Sequence, residues 1–251
     1  LILVMIATTP TFAHEFWLQP ETYTGVVGES INVDWRIGMD FQGTPYVYLP
    51  DMATQVGQYS AGYKTLLSPR FAAKPGLNVT LGPGTTIALT ESSDFNLDYE
   101  DKAAFITFLD KDRVRDQVNE SEIATQGKIT ERYRRYAKTI MHTSGMAWQD
   151  ARVGLDLEWL LDRQGNKLVA TLFRADRPLP AMTVRMFGKA GSEPATLRIG
   201  TTNENGVVSF DGMAENTSYL LNAIHLYPID ATTNEFGASW HSDWTSVTFR
   251  W

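Results

Sequence analysis

Seven short runs between Leu155 and Phe249 constrain the fold more than any other feature of this chain. They are Leu155 to Leu161, Lys167 to Phe173, Met182 to Phe187, Thr196 to Thr201, Val207 to Phe210, Ser218 to His225 and Trp240 to Phe249. Turn signals separate them: Gln164-Gly165-Asn166, Arg177-Pro178-Leu179-Pro180, Asn203-Glu204-Asn205-Gly206 and Asp211-Gly212. Strands of this length and spacing read as an immunoglobulin-like or transthyretin-like sandwich, expected over 154–251.

The front half is also β in pattern. From Glu29 the chain alternates, with Ile31, Val33, Trp35 and Ile37 on one face and Asn32, Asp34 and Arg36 on the other, as a half-buried antiparallel strand does. Tyr46 to Leu49 reads as another strand stopped by Pro50, and Leu77 to Leu81 and Thr86 to Thr90 as two more. A small β domain is expected over 14–97. The period then changes. Asp101 to Asn119 carries helix formers with Ala104, Phe105, Phe108 and Leu109 on one side, and a second helix is expected from Lys128 to Met141. The fold class expected is mainly β, two sandwich-like domains joined by a helical connector over 98–145.

The start of the chain bears on function. Leu1 to Ala7 is purely apolar, and Thr11-Phe12-Ala13 places small residues one and three positions before a cut, as a signal peptidase requires. Residues 1–13 are therefore expected to be a signal peptide shortened at its front, and the protein periplasmic or secreted. No later run approaches the ~20 apolar residues of a membrane-spanning helix. The chain has no cysteine, which removes disulfides, thiolate metal sites, cysteine nucleophiles and a lipidated N-terminal cysteine. Its length suffices for a core without disulfides.

A cut after Ala13 would leave His14 as the first residue, with a free α-amine and an imidazole that can chelate one metal ion. An α-amine titrates near ~8, so a metal can displace its proton near neutral pH. The other candidate ligands follow from the scarcity of donors, since only His14, His142, His225 and His241 are histidines. His225 ends a strand at a sandwich rim. His241 and Asp243 alternate with Ser242 and so share a face of the last strand, and Glu15 adjoins His14. His142 follows the basic segment and reads as a surface residue.

Several function classes find no support. There is no phosphate loop, no nucleophile elbow and no histidine pair at zinc-protease spacing, so no hydrolase or transferase motif is found. Lys128, Arg132, Arg134, Arg135 and Lys138 make the 128–141 segment basic, but the net charge of the chain is -7, which argues against a nucleic-acid partner.

Three blocks together resemble a known family. They are His14-Glu15-Phe16-Trp17-Leu18 after a signal peptide, Arg132-Tyr133 with Arg135-Tyr136-Ala137-Lys138, and Ala223-Ile224-His225 with Trp240 to Trp244 and Ser246-Val247-Thr248-Phe249. The likeness is to a bacterial family of exported proteins described as a domain of unknown function and often labelled a periplasmic component of nickel or cobalt uptake. Asp176 to Val184 with Thr202 to Gly206 also looks like the sandwich module of carboxypeptidase regulatory domains. His14 and His225 match the family pattern, whereas position 241 departs from it, an acidic residue being common there. The resemblance implies a divalent ion, nickel or cobalt with copper possible by affinity order, held by His14 with His225, and passed to a membrane importer. His241, Asp243 or Glu15 would complete the shell. Two alternatives are an oxidative copper enzyme built on the terminal histidine, with His225 and Tyr227, and a non-catalytic module binding protein or sugar.

Overall fold

The computed structural model describes residues 15–251, the side chain of Thr125 excepted; the expected leader over 1–13 and His14 lie outside the described residues. The first strands are β1 (Glu15–Pro20), β2 (Thr24–Gly25), β3 (Ser30–Met39), β4 (Gln42–Tyr46), β5 (Ala53–Ser60), β6 (Tyr63–Leu66), β7 (Leu77–Thr80), β8 (Thr85–Ser92) and β9 (Phe95–Asp98). Two helices follow, α1 (Lys102–Lys111) and α2 (Glu120–Thr125). Then come β10 (Thr130–Thr143), β11 (Leu157–Gln164), β12 (Lys167–Arg174), β13 (Arg177–Pro178) and β14 (Thr183–Lys189). The last are β15 (Thr196–Thr201), β16 (Val207–Phe210), β17 (Ser218–Pro228) and β18 (Trp240–Arg250). The chain is mainly β, as its pattern implies.

The seven expected C-terminal strands form. β11, β12 and β16 share one sheet, and β15-β14-β17-β18 are neighbours in another. First, second and fifth against fourth, third, sixth and seventh is an immunoglobulin-like arrangement. Alternate residues point inward from both sheets, among them Leu157, Trp159, Leu168, Leu172, Val184, Met186, Leu221, Val247 and Phe249. In the front half, Ile31, Val33 and Trp35 of β3 pack on Phe16, Leu18, Leu77 and Val79. The strand expected at Tyr46 to Leu49 instead ends at Tyr46. A two-residue turn at Asp40-Phe41 pairs Met39 with Gln42 and so carries Trp35 to Tyr46, because a hairpin turn fixes register.

The larger correction concerns 128–141, expected as a helix. It belongs to β10, which runs parallel to β18 from Glu131↔Trp240 to Thr139↔Thr248 and antiparallel to β8 at Ile140↔Ile87. Its period of two is hidden because both faces are covered. Tyr136 and Ile140 enter the C-terminal core, and Ala137 and Met141 the N-terminal one. Its charges, which resemble the wet side of a helix, are paired within the fold: Arg134 with Glu91 and Asp94, Lys138 with Asp150. The helix reading therefore mistook residues paired by the tertiary structure for a solvated face.

Because β10 joins β18 to β8, one continuous sheet runs β15-β14-β17-β18-β10-β8-β5-β6 through both halves. The sheet of β1, β3, β4 and β7 covers one face together with α1. The sheet of β11, β12 and β16 covers the other. Helix α1 is capped by Asp101, whose Oδ1 accepts from the Ala104 N–H at 2.8 Å. It buries Phe105 and Phe108 against Trp240 and Trp244, with ring centroids 5.5 and 6.1 Å apart.

Candidate functional site

Alternation along β1 sends Phe16 and Leu18 into the N-terminal core and turns Glu15 and Trp17 onto the central sheet. Glu15 is buried there. Its Oε1 lies 3.3 Å from Arg185 Nη2, which also donates to Asn222 Oδ1 at 2.7 Å. Arg185 Nη1 lies 2.9 Å from Asp112 Oδ1 at the end of α1. Two carboxylates thus share one guanidinium. Glu15 Oε2 is buried and has no hydrogen-bond partner among the described residues; the same is true of Trp17 Nε1 and of Ser246 Oγ, which pairs with Asn222 in register. Burial pushes the Glu15 carboxyl up to about 7 against the pull of Arg185, and Asp112 adds to the rise.

The turn between β3 and β4 packs against this cluster. Asp40 and Phe41 have φ of 53° and 59°, the left-handed pair that a two-residue hairpin turn demands, here without glycine. The turn brings the Phe41 amide to the Glu15 carboxylate and the Phe41 ring to within 5.8 Å of the Trp17 ring centroid. Gly43 makes room for that indole, since a Cβ there would stand 2.4 Å from Trp17 Cη2.

A second polar cluster forms at the rim of the C-terminal sandwich. His225 pairs with Asp243 and Tyr227 with His241 across β17 and β18, so all four side chains share one face. The Tyr227 ring lies near both imidazoles, at 5.0 Å from His225 and 5.1 Å from His241. Arg174 reaches over from β12, donating to Tyr227 Oη at 2.8 Å and lying 3.3 Å from Asp243 Oδ2. Arg132 Nε donates to His241 Nδ1 at 3.0 Å, so the proton of the neutral ring sits on Nε2, which meets Asp243 Oδ1 at 2.9 Å. His241 has no ring lone pair left for a metal. His225 differs: its Nδ1 is buried without a partner among the described residues. Burial first, then Arg174 and His241, lower its pKa to about 4 against the pull of Asp243, so it is neutral at neutral pH.

The five candidate ligands therefore divide. His225, His241 and Asp243 meet on the sandwich face. Glu15 lies against the opposite face, beside Asn222, and His14 lies outside the described residues. His142 is apart from both clusters, with Nδ1 3.2 Å from the Thr143 carbonyl. Among the described residues no group of three or more His, Asp or Glu is placed to hold a metal ion. Sequence reasoning missed Arg185, Asp112 and Arg174, and read Arg132 as part of a basic segment and of the family resemblance without a role at His241. Arg185 left a signal, being a charge inside the apolar run Val184 to Phe187.

Residues 11–226 match the family described as a domain of unknown function, DUF4198, and the chain belongs to that family. No curated protein matches it. Similar solved structures include the D0-D1 domain of intimin, at 11% identity and a TM-score of 0.22, covering 94% of this chain and 98% of that one. The FN1-FN3 domains of chicken CNTN1 give 9% identity and a TM-score of 0.20, over 96% of this chain and 65% of that one. The chicken interferon gamma receptor alpha chain gives 9% and 0.20, over 86% and 89%. No described helix is long and apolar enough to cross a membrane.

Proposed function

We propose that this member of the DUF4198 family is an exported protein that binds a divalent cation at the start of β1 and passes it to a membrane importer. The observation that carries the reading is Glu15: a buried carboxylate oxygen without a partner among the described residues, one position after His14. Unpaired buried polar atoms are rare because each forfeits its hydration, so one beside a chelating residue suits a bound ion. With the leader removed after Ala13, the His14 amine and imidazole supply two nitrogens and Glu15 Oε2 an oxygen. Nickel or cobalt as cargo comes from the family resemblance and suits a nitrogen-rich donor set.

In this reading His225, His241 and Asp243 are not the ion's ligands. His241 and Asp243 are committed to Arg132, Arg174 and each other, and His225 stands on the other face of the sheet from Glu15. The copper-enzyme alternative needs His225 and Tyr227 beside the terminal histidine, and Tyr227 is already engaged by Arg174. Calorimetry with nickel, cobalt and copper on protein beginning at His14, and on the same protein with one residue added before it, tests the reading. Tight binding by the first alone supports it; equal affinity in both removes the amine from the site.

A further inference from the structure

Lys138, Asp150 and Glu158 meet inside the C-terminal sandwich, with side chains 1%, 0% and 0% exposed. Lys138 enters the core from β10, Asp150 comes from the segment between β10 and β11, and Glu158 from β11. Lys138 Nζ lies 2.8 and 2.9 Å from the two carboxylate oxygens of Asp150 and 3.4 Å from Glu158 Oε1. Backbone donors fix both acids. The Ala151 N–H reaches Asp150 Oδ1 and the Leu161 N–H reaches Oδ2, each at 2.8 Å. Glu158 accepts from the N–H groups of Val153, Gly154 and Leu155 at 2.6, 3.1 and 3.2 Å. Burial raises the Asp150 pKa against the pull of Lys138.

We propose that Lys138 and Asp150 join in an intramolecular isopeptide bond, with Glu158 relaying the proton. Transfer of one proton from Nζ to the Asp150 carboxylate turns the ion pair into an amine and a carboxylic acid, which burial favours over separated charges. A shift of Nζ out of the carboxyl plane then brings the amine over Cγ, beside which the fold holds it at high effective concentration, with both carboxyl oxygens still on their backbone donors. Nζ bonds to Cγ, and the developing oxyanion is met by the backbone N–H groups already placed on the carboxyl oxygens. Glu158 takes the proton from the nitrogen and returns it to the departing hydroxyl. The C–OH bond breaks, one amide and one water result, and no oxidant or reductant is needed. A cavity lined by Trp148, Asp150 and Leu161 gives the water a way out. The bond would tie the segment carrying Trp148, Val153 and Leu155, which closes the sandwich core, to the central sheet.

Intact mass of the full protein, unfolded in denaturant, reads the outcome. The expected result is a mass lower by one water, with a branched proteolytic peptide joining the Lys138 and Asp150 segments. Lys138→Met and Asp150→Ala variants, in which no amide can form between the two positions, serve as mass references whether or not they fold, and both should carry full mass. A wild-type protein of full mass, or one light by a water but without the branched peptide, overturns the proposal. Glu158→Gln should fold and remain uncrosslinked; a crosslinked Glu158→Gln protein would overturn the role given to Glu158.

Discussion

Glu15 and His225 each hold one donor atom without a partner among the described residues, and they stand against opposite faces of the same sheet. The arrangement separates two roles that a ligand set joining them would merge. In protein beginning at His14, Glu15→Gln should weaken nickel or cobalt binding at least ~10-fold, the loss that even a supporting group can cause. His225→Ala should leave the affinity unchanged. Titration calorimetry on the two variants checks both statements, and the reverse pattern would move the ion to the sandwich face.

Glu15 also makes stability depend on pH. Its folded-state pKa of about 7 lies above the ordinary 4.5, so the folded form holds the proton more tightly than the unfolded chain. Its contribution is present below pH ~4.5 and is lost as pH rises towards ~7, an effect on the order of 3 kcal/mol at most. Without added metal, denaturant unfolding across this range should show wild type losing stability relative to Glu15→Gln. A constant difference between the two would show that Glu15 ionises as freely in the fold as in water.

His225 moves in the opposite sense. With a pKa lowered to about 4, its ring should stay neutral at pH 5, where an ordinary histidine is protonated. Proton NMR of the imidazole resonances, assigned with His225→Ala, reads this directly. Because the unfolded chain takes up that proton first, His225 favours folding above pH ~6.5 and this support is lost as pH falls towards 4.

The Arg132 to His241 hydrogen bond fixes a tautomer. Nitrogen NMR should find the His241 proton on Nε2, facing Asp243. Arg132→Ala should release that preference and cost about 1–3 kcal/mol, since a buried acceptor loses its donor. A proton found on Nδ1 in the wild type would contradict the assignment.

Gly43→Ala tests how the hairpin supports the Glu15 pocket. The new methyl would meet Trp17 Cη2 at 2.4 Å and the Ile37 carbonyl oxygen at 2.7 Å. Overpacking of this kind costs about 1–3 kcal/mol. Chemical denaturation should show the loss, with a change in Trp17 fluorescence as the indole shifts against Phe41.

The seven C-terminal strands, the alternating strand around Trp35 and the helix beginning at Asp101 were legible in the sequence because each writes its environment locally. One face is apolar and the other polar, or a cap stands before a hydrophobic run, and the period follows from backbone geometry alone. Glu15 and His225 were singled out by residue type and position, as a carboxylate beside His14 and a histidine ending a strand. β10 was not. A strand covered on both faces carries no alternation, and its arginines and Lys138 look like a wet helical face until their partners at Glu91, Asp94 and Asp150 are known. Those partners are distant in sequence or reached only by folding back. Tertiary structure alone therefore decided that both halves share one sheet, which acids and bases meet, and on which face Glu15, His225, His241 and Asp243 stand. Pairing between strands depends on contacts made across space, and residue order does not encode them directly.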